Sequence, residues 1–126
     1  MSAKIIILLA SLNGFFAVGI GAFGAHALKE KLAASQLATF HTGVQYHFYH
    51  ALALLAVGIL MSNQQWQNSA LLNASGINFF IGIIFFCGSL YWLALGGPRW
   101  LGPMTPLGGL AFLSGWLLLA FAALKS

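Results

Sequence analysis

The chain carries one acidic side chain, Glu30, and one cysteine, Cys87. A single carboxylate leaves no pair for acid–base hydrolysis, and a Ser–His–carboxylate triad would have to recruit Glu30 itself. Glu30 sits between Lys29 and Lys31, where a solvated ion pair is its ordinary role. The lone cysteine has no intrachain partner and behaves as a small apolar residue within an apolar run. No glycine-rich phosphate loop precedes a lysine, and no basic patch suits a nucleic acid. Repeats, low-complexity stretches and linkers are also missing. Charged residues make up only 5% of the 126, against about 25% in soluble domains. So little charge excludes a soluble globular surface, and a 60% hydrophobic content excludes disorder. What remains is an integral membrane protein, with residues 1–126 forming a single transmembrane domain.

The few charges mark its layout. Ile5 to Leu28, Leu32 to Pro98 and Trp100 to Leu124 are free of charge. A helical span needs about 20 apolar residues to cross a hydrocarbon core of about 30 Å. The outer runs hold one span each. The middle run is broken by the polar stretch from Ser62 to Ser69 and holds two. Spans are expected near 5–28, 40–61, 77–95 and 107–124, with Gly96-Gly97-Pro98 opening the last connection. Backbone in lipid must satisfy its own hydrogen bonds, so these runs are helices. Runs such as Ile5-Ile6-Ile7-Leu8-Leu9 lack the alternation of a membrane strand. The fold class is therefore all-α, four transmembrane helices in an up-down-up-down bundle. Lys29, Lys31 and the stripe Leu32, Ala33, Leu37, Phe40 suggest a short interfacial helix near 30–39. Lys4 and Ala25-His26-Ala27 imitate a signal peptide, but the apolar stretch is longer than the 7–15 residues of such a segment. Lys29, Lys31 and Arg99 outweigh Lys4 and Lys125, which places both termini outside.

Small residues recur in the first span at Ala10, Gly14, Ala17, Gly21 and Gly24, in steps of four and three. Such steps hold one narrow seam toward a neighbour and let backbones approach closely. Gly108, Ala111 and Gly115 form a shorter seam in the last span. The partner helix of either seam, within the chain or in a second copy, is left open.

Histidine is the one chemically distinctive feature. His26 closes the first span, His41 opens the second, and His47 and His50 lie inside it. With entry near Phe40, His50 lies about 15 Å deep. Ionisable groups at that depth are costly and face the bundle interior or a hydrated cavity. At about 100° per residue, Tyr46, His47 and His50 share one arc, while His41, Gln45 and Tyr49 share the next. His50 is expected to point toward the first or fourth helix, and His26 to lie on the same membrane side as His41 and Lys29. Three uses of this candidate polar site compete. The groups could bond helix to helix, relay protons or pass a small polar solute, or hold a haem or metal through His47 and His50 with His26 or His41. No cofactor is expected on the ligand set alone, since no carboxylate lies nearby.

The stretch from Gly21 to Lys29 (GAFGAHALK) and that from Thr42 to Leu55 (TGVQYHFYHALALL) resemble the hallmarks of the YgdD-like small inner-membrane proteins. Gly88-Ser89-Leu90-Tyr91, Thr105-Pro106-Leu107-Gly108-Gly109 and Gly115-Trp116 fit the same pattern in the same order. The resemblance implies a bacterial inner-membrane protein of four spans in a family of unknown function. It singles out Gly21, Gly24, His26, Lys29, Gln45, Tyr46, His50, Thr105 and Pro106. His47 falls where relatives often carry an amide, which weakens any metal site that needs it. Taken together, the residues lead to the expectation of a non-enzymatic membrane protein acting as an oligomer or as an accessory subunit of a larger complex. Proton or solute conduction is the alternative, and the lipid bilayer is the one partner implied by composition alone.

Overall fold

Four long apolar helices account for nearly all of the described residues. The computed structural model describes residues 1–66 and 69–125. Gln67 and Asn68 of the expected polar loop lie outside the described residues, as does Ser126. Helix α1 runs over Ala3–Leu28, α2 over Ala34–Met61, α3 over Ala70–Ala94 and α4 over Met104–Lys125. A short 3-10 turn at Arg99–Leu101 leads into α4. The last turns of α1 (Gly24–Leu28) and the middle of α3 (Ile83–Cys87) are wound as π-helix.

Two helices begin earlier than the apolar runs suggest. Residues 34–39 are the first turns of α2 itself, so the stretch near 30–39 holds no separate interfacial helix. The start is set by Gln36, whose side chain accepts from the Ala33 backbone N–H at 3.0 Å. No breaker then separates residues 34–39 from the span. Helix α3 likewise starts at Ala70 rather than near Ile77, with the Ser69 hydroxyl accepting from Leu72 N–H at 3.1 Å. Its polar residues are absorbed locally. Asn78 donates back to the Ala74 carbonyl at 2.9 Å, and Asn73 accepts from the Met1 ammonium at 2.8 Å. The chain leaves α3 through Gly96, whose φ of 95° is left-handed backbone that glycine adopts without penalty.

Consecutive helices are antiparallel. Ile6 and Ile7 near the start of α1 meet Gly58 near the end of α2, while Gly24 meets Phe40 at the other side. Gly43 of α2 packs on Leu90 and Tyr91 of α3, and Gly76 packs on Leu54 and Val57. Ser75 of α3 reaches Gly115 of α4, and Ser89 reaches Thr105. Helices α2 and α3 form the inner pair, with α1 laid mainly on α2 and α4 on α3. Ile6, Leu54, Val57, Leu72 and Phe79 are fully buried where these helices meet.

The small residues of α1 turn toward α2 of the same chain. Ala10, Ala17 and Gly24 are buried, and a Cβ on Gly21 would lie 3.0 Å from Val44. Gly14 is the exception, with open space where its Cβ would be. In α4, a Cβ on Gly108 would overlap the Phe86 backbone, and one on Gly115 would lie 2.7 Å from the Phe79 ring. Ala111 is half-buried between them. This geometry separates the glycines by cost. Gly108→Ala should destabilise the fold by about 1–3 kcal/mol, because backbone cannot swing aside as a side chain can. Gly14→Ala should be neutral or slightly stabilising, since it adds helix propensity without a clash. Thermal unfolding of the two variants in the same detergent checks this, and equal melting temperatures would contradict it.

Candidate functional site

Helix α2 carries more polar side chains than any other span, and its contacts set their depth. Lys4 and Lys29 bracket α1, and α1 pairs with α2 as Ile6 on Gly58 and Gly21 on Val44. The middle of the apolar run in α1 therefore lies opposite His47 and Phe48. These two are also the central residues of the 28-residue α2. This register sets His47 at the middle of the span, which we take as the bilayer midplane, and His50 lies about 4–5 Å beyond it by the helical rise.

Both histidines point inward and are about 5% exposed. His47 is placed between two neighbouring helices. Its Nε2 lies 3.0 Å from Asn13 Oδ1 of α1, and its Nδ1 lies 2.9 Å from the Tyr91 hydroxyl of α3. The Asn13 amide nitrogen already donates to the Leu9 carbonyl at 2.8 Å, which leaves its oxygen as the acceptor. His47 therefore donates from Nε2–H, and its Nδ1 accepts from Tyr91 O–H. His50 has the opposite arrangement. The Trp116 indole N–H of α4 donates to His50 Nε2 at 3.1 Å, so Nε2 carries no proton. The proton sits on Nδ1 and is donated to the Tyr46 carbonyl, one turn back, at 2.8 Å. The ring lies flat on Phe112, with centroids 3.6 Å apart and planes 10° from parallel. Two neutral imidazoles of opposite tautomer thus join α2 to all three other helices.

Of the remaining residues of the candidate polar site only Tyr46 joins this pair, through its carbonyl and a ring stacked 6.1 Å from that of His50. His26 is exposed in the π-turn that ends α1, on the same side of the bundle as Lys29 and His41. His41, Gln45 and Tyr49 are exposed on the outer face of α2. Tyr46 lies at the edge, its ring 4.7 Å from Phe86. Among the described residues no three His, Cys, Asp or Glu side chains come together. Every ring nitrogen of His47 and His50 is engaged, so a metal or haem iron would have to displace an existing hydrogen bond. No buried side-chain nitrogen or oxygen among the described residues lacks a partner. Ser75 donates to the Gly115 carbonyl at 2.7 Å, and Ser89 shares a 2.6 Å bond with Thr105. Beside His50, a groove of about 570 Å³ opens sideways between α2, α3 and α4, lined by Tyr46, Phe86, Phe112 and Trp116.

Asn13, Tyr91, Phe112 and Trp116 complete the histidine pair, and none stood out by residue type in the sequence. The available signal for Asn13 was position, as an amide midway along an otherwise apolar run. Tyr91 and Trp116 have polar tips on aromatic bodies and are common in membrane spans, so type alone did not mark them.

Comparison with known proteins places these features in a group. A family model described as "Protein of unknown function (DUF423)" matches residues 20–109. A UPF0382 membrane protein of Staphylococcus epidermidis is 44% identical over 97% of this chain and 97% of its own. UPF0382 membrane protein YwdK of Bacillus subtilis is also 44% identical, over 97% of this chain and 98% of its own. UPF0382 inner membrane protein YgdD of Escherichia coli is 35% identical over 99% and 93%. No solved structure matches the chain.

The tautomers are directly measurable. Nitrogen-15 NMR of histidine-labelled protein should show neutral His50 protonated at Nδ1 and neutral His47 at Nε2. Trp116→Phe keeps the ring but removes the donor, and should cost about 1 kcal/mol of stability while releasing the His50 tautomer. Identical tautomers at both sites in the unaltered protein would contradict the assignment.

Proposed function

The chain belongs to the DUF423 family, and on that premise we propose that this four-helix inner-membrane protein acts by assembling with other membrane chains rather than by catalysis. The observation that carries this reading is the closed state of the interior. The two midplane histidines, the groups best suited to chemistry, use three of their four ring nitrogens to hold α2 to α1, α3 and α4, and the fourth is bonded to the Tyr46 carbonyl of α2 itself. A relay needs a next acceptor along the membrane normal, and a metal needs a free lone pair. The pair supplies neither without breaking an existing hydrogen bond. Bonds of this kind are the usual work of polar side chains in membrane helices.

What stays unspent lies on the outside. Helix α2 presents His41, Gln45 and Tyr49 away from the bundle, and Gln45 and Tyr49 lie at depths where lipid offers no hydrogen bonds. A surface of that kind favours contact with another protein chain, as a homo-oligomer or as an accessory subunit. Native mass spectrometry from mild detergent should show an oligomer or a co-purifying partner, and a monomer at all concentrations overturns the proposal. Liposomes holding the protein under an imposed pH gradient should remain tight. A leak that His50→Ala abolishes would instead support conduction.

A further inference from the structure

We infer that the outward face of α2 is the interface with a second copy of this chain, closed at Gln45 about a two-fold axis along the membrane normal. The inference rests on the assembly reading and names its partner and contact. His41, Gln45, Phe48 and Leu52 follow one another in steps of four, three and four. That spacing makes a straight seam for a left-handed helix pair. The seam lies on the side of α2 opposite Phe40, Gly43, His47, Leu54 and Gly58, which are buried in the bundle. Its own members are open, Leu52 at 54% exposure and the adjoining Tyr49 at 55%.

Gln45 makes this face more than an ordinary lipid-facing surface. It lies within one turn of His47, about 3–5 Å from the midplane along the axis. Among the described residues its side-chain amide has no hydrogen-bond partner, and neither has the Tyr49 hydroxyl one turn on. The nearer head groups lie about 10–12 Å away, too far for an amide on two methylenes to reach. Acyl chains offer it nothing. An occupant that satisfies both ends of the amide carries a donor and an acceptor at that same depth. A second copy inserted in the same orientation meets this condition by symmetry. A two-fold axis along the normal sets each residue at the depth of its counterpart, so Gln45 faces Gln45 of its twin. A primary amide is both donor and acceptor, and two of them can satisfy each other reciprocally. An unrelated partner would need a matching polar group placed there independently.

Oxidative cross-linking in native membranes tests this directly. In a Cys87→Ala background, Gln45→Cys should yield a disulfide-linked dimer of this chain. Phe15→Cys on α1 and Leu113→Cys on α4, both exposed and away from the seam, should not. Gln45→Leu should raise the dimer dissociation constant about tenfold, as expected for the loss of interhelical hydrogen bonds, and Gln45→Asn should retain most of the affinity. The protein should stay folded throughout, because position 45 is exposed. A dimer captured at Phe15→Cys or Leu113→Cys overturns the interface, as does a Gln45→Cys adduct with a different protein. If native mass spectrometry shows an oligomer that Gln45→Leu leaves equally tight, the assembly reading stands and this interface falls. A strict monomer removes both.

Discussion

At the centre of a bilayer no water competes for hydrogen bonds, and a polar group left without a protein partner costs several kcal/mol. The architecture follows from how His47 and His50 meet that constraint. Lipid tails are as apolar as the helices, so apolar area alone gives no reason to associate. Directional bonds from a single helix can supply one. His47 takes a partner from α1 and another from α3, and His50 takes one from α4. Helix α2 is thereby bonded to all three others, while α4 takes its register mainly from α3 through Ser75 and Ser89. Opposite tautomers are what make this work. His47 donates through Nε2 to an amide oxygen, whereas His50 must receive an indole N–H at Nε2 and send its proton back to its own helix.

Close approach of backbones does the rest. Aromatic rings fill the notches that glycines leave, with Phe40 over Gly24, Phe112 over Gly82 and Phe79 over Gly115. Each pairing trades a missing side chain for a large ring in contact, and dispersion over such rings is the main attraction available in lipid. At Gly115 the open backbone serves a second purpose, since the Ser75 hydroxyl reaches its carbonyl at 2.7 Å. The seam of α1 is used up against α2 within the chain. Its outer face, with Phe15 and Phe16 turned outward, is left apolar and suited to acyl chains.

Much of this fold is legible in the sequence because charge is so scarce. Interruptions in the apolar runs mark four spans, and the helical period separates Tyr46, His47 and His50 from His41, Gln45 and Tyr49. Periodicity yields angles between residues on one helix and says nothing of which arc faces the bundle. That depended on Asn13, Tyr91 and Trp116, which lie far away in the chain. Helix starts were obscured for a different reason. Gln36 and Ser69 bond to nearby backbone, and Asn78 returns its amide to the Ala74 carbonyl. Side chains that look like loop formers in a linear reading thus act as caps or fold back on the helix.

The two arcs of α2 carry similar chemistry and meet opposite fates. On the inner arc, imidazoles find an amide, a phenol, an indole and a carbonyl, and the account closes within one chain. On the outer arc, an amide and a phenol at the same depth find nothing within it. Were α2 an exposed helix in water, solvent would settle that difference and no conclusion would follow. In hydrocarbon the difference persists, and only protein can remove it. A polar residue on such a face also sets alignment, since a shift of one helical turn along the partner would move it about 5 Å from its match. The outer arc therefore specifies depth and register together, which apolar packing alone does poorly. In the proposed interface, the same constraint that fixes the bundle from within would select a partner whose polar groups lie in the same plane.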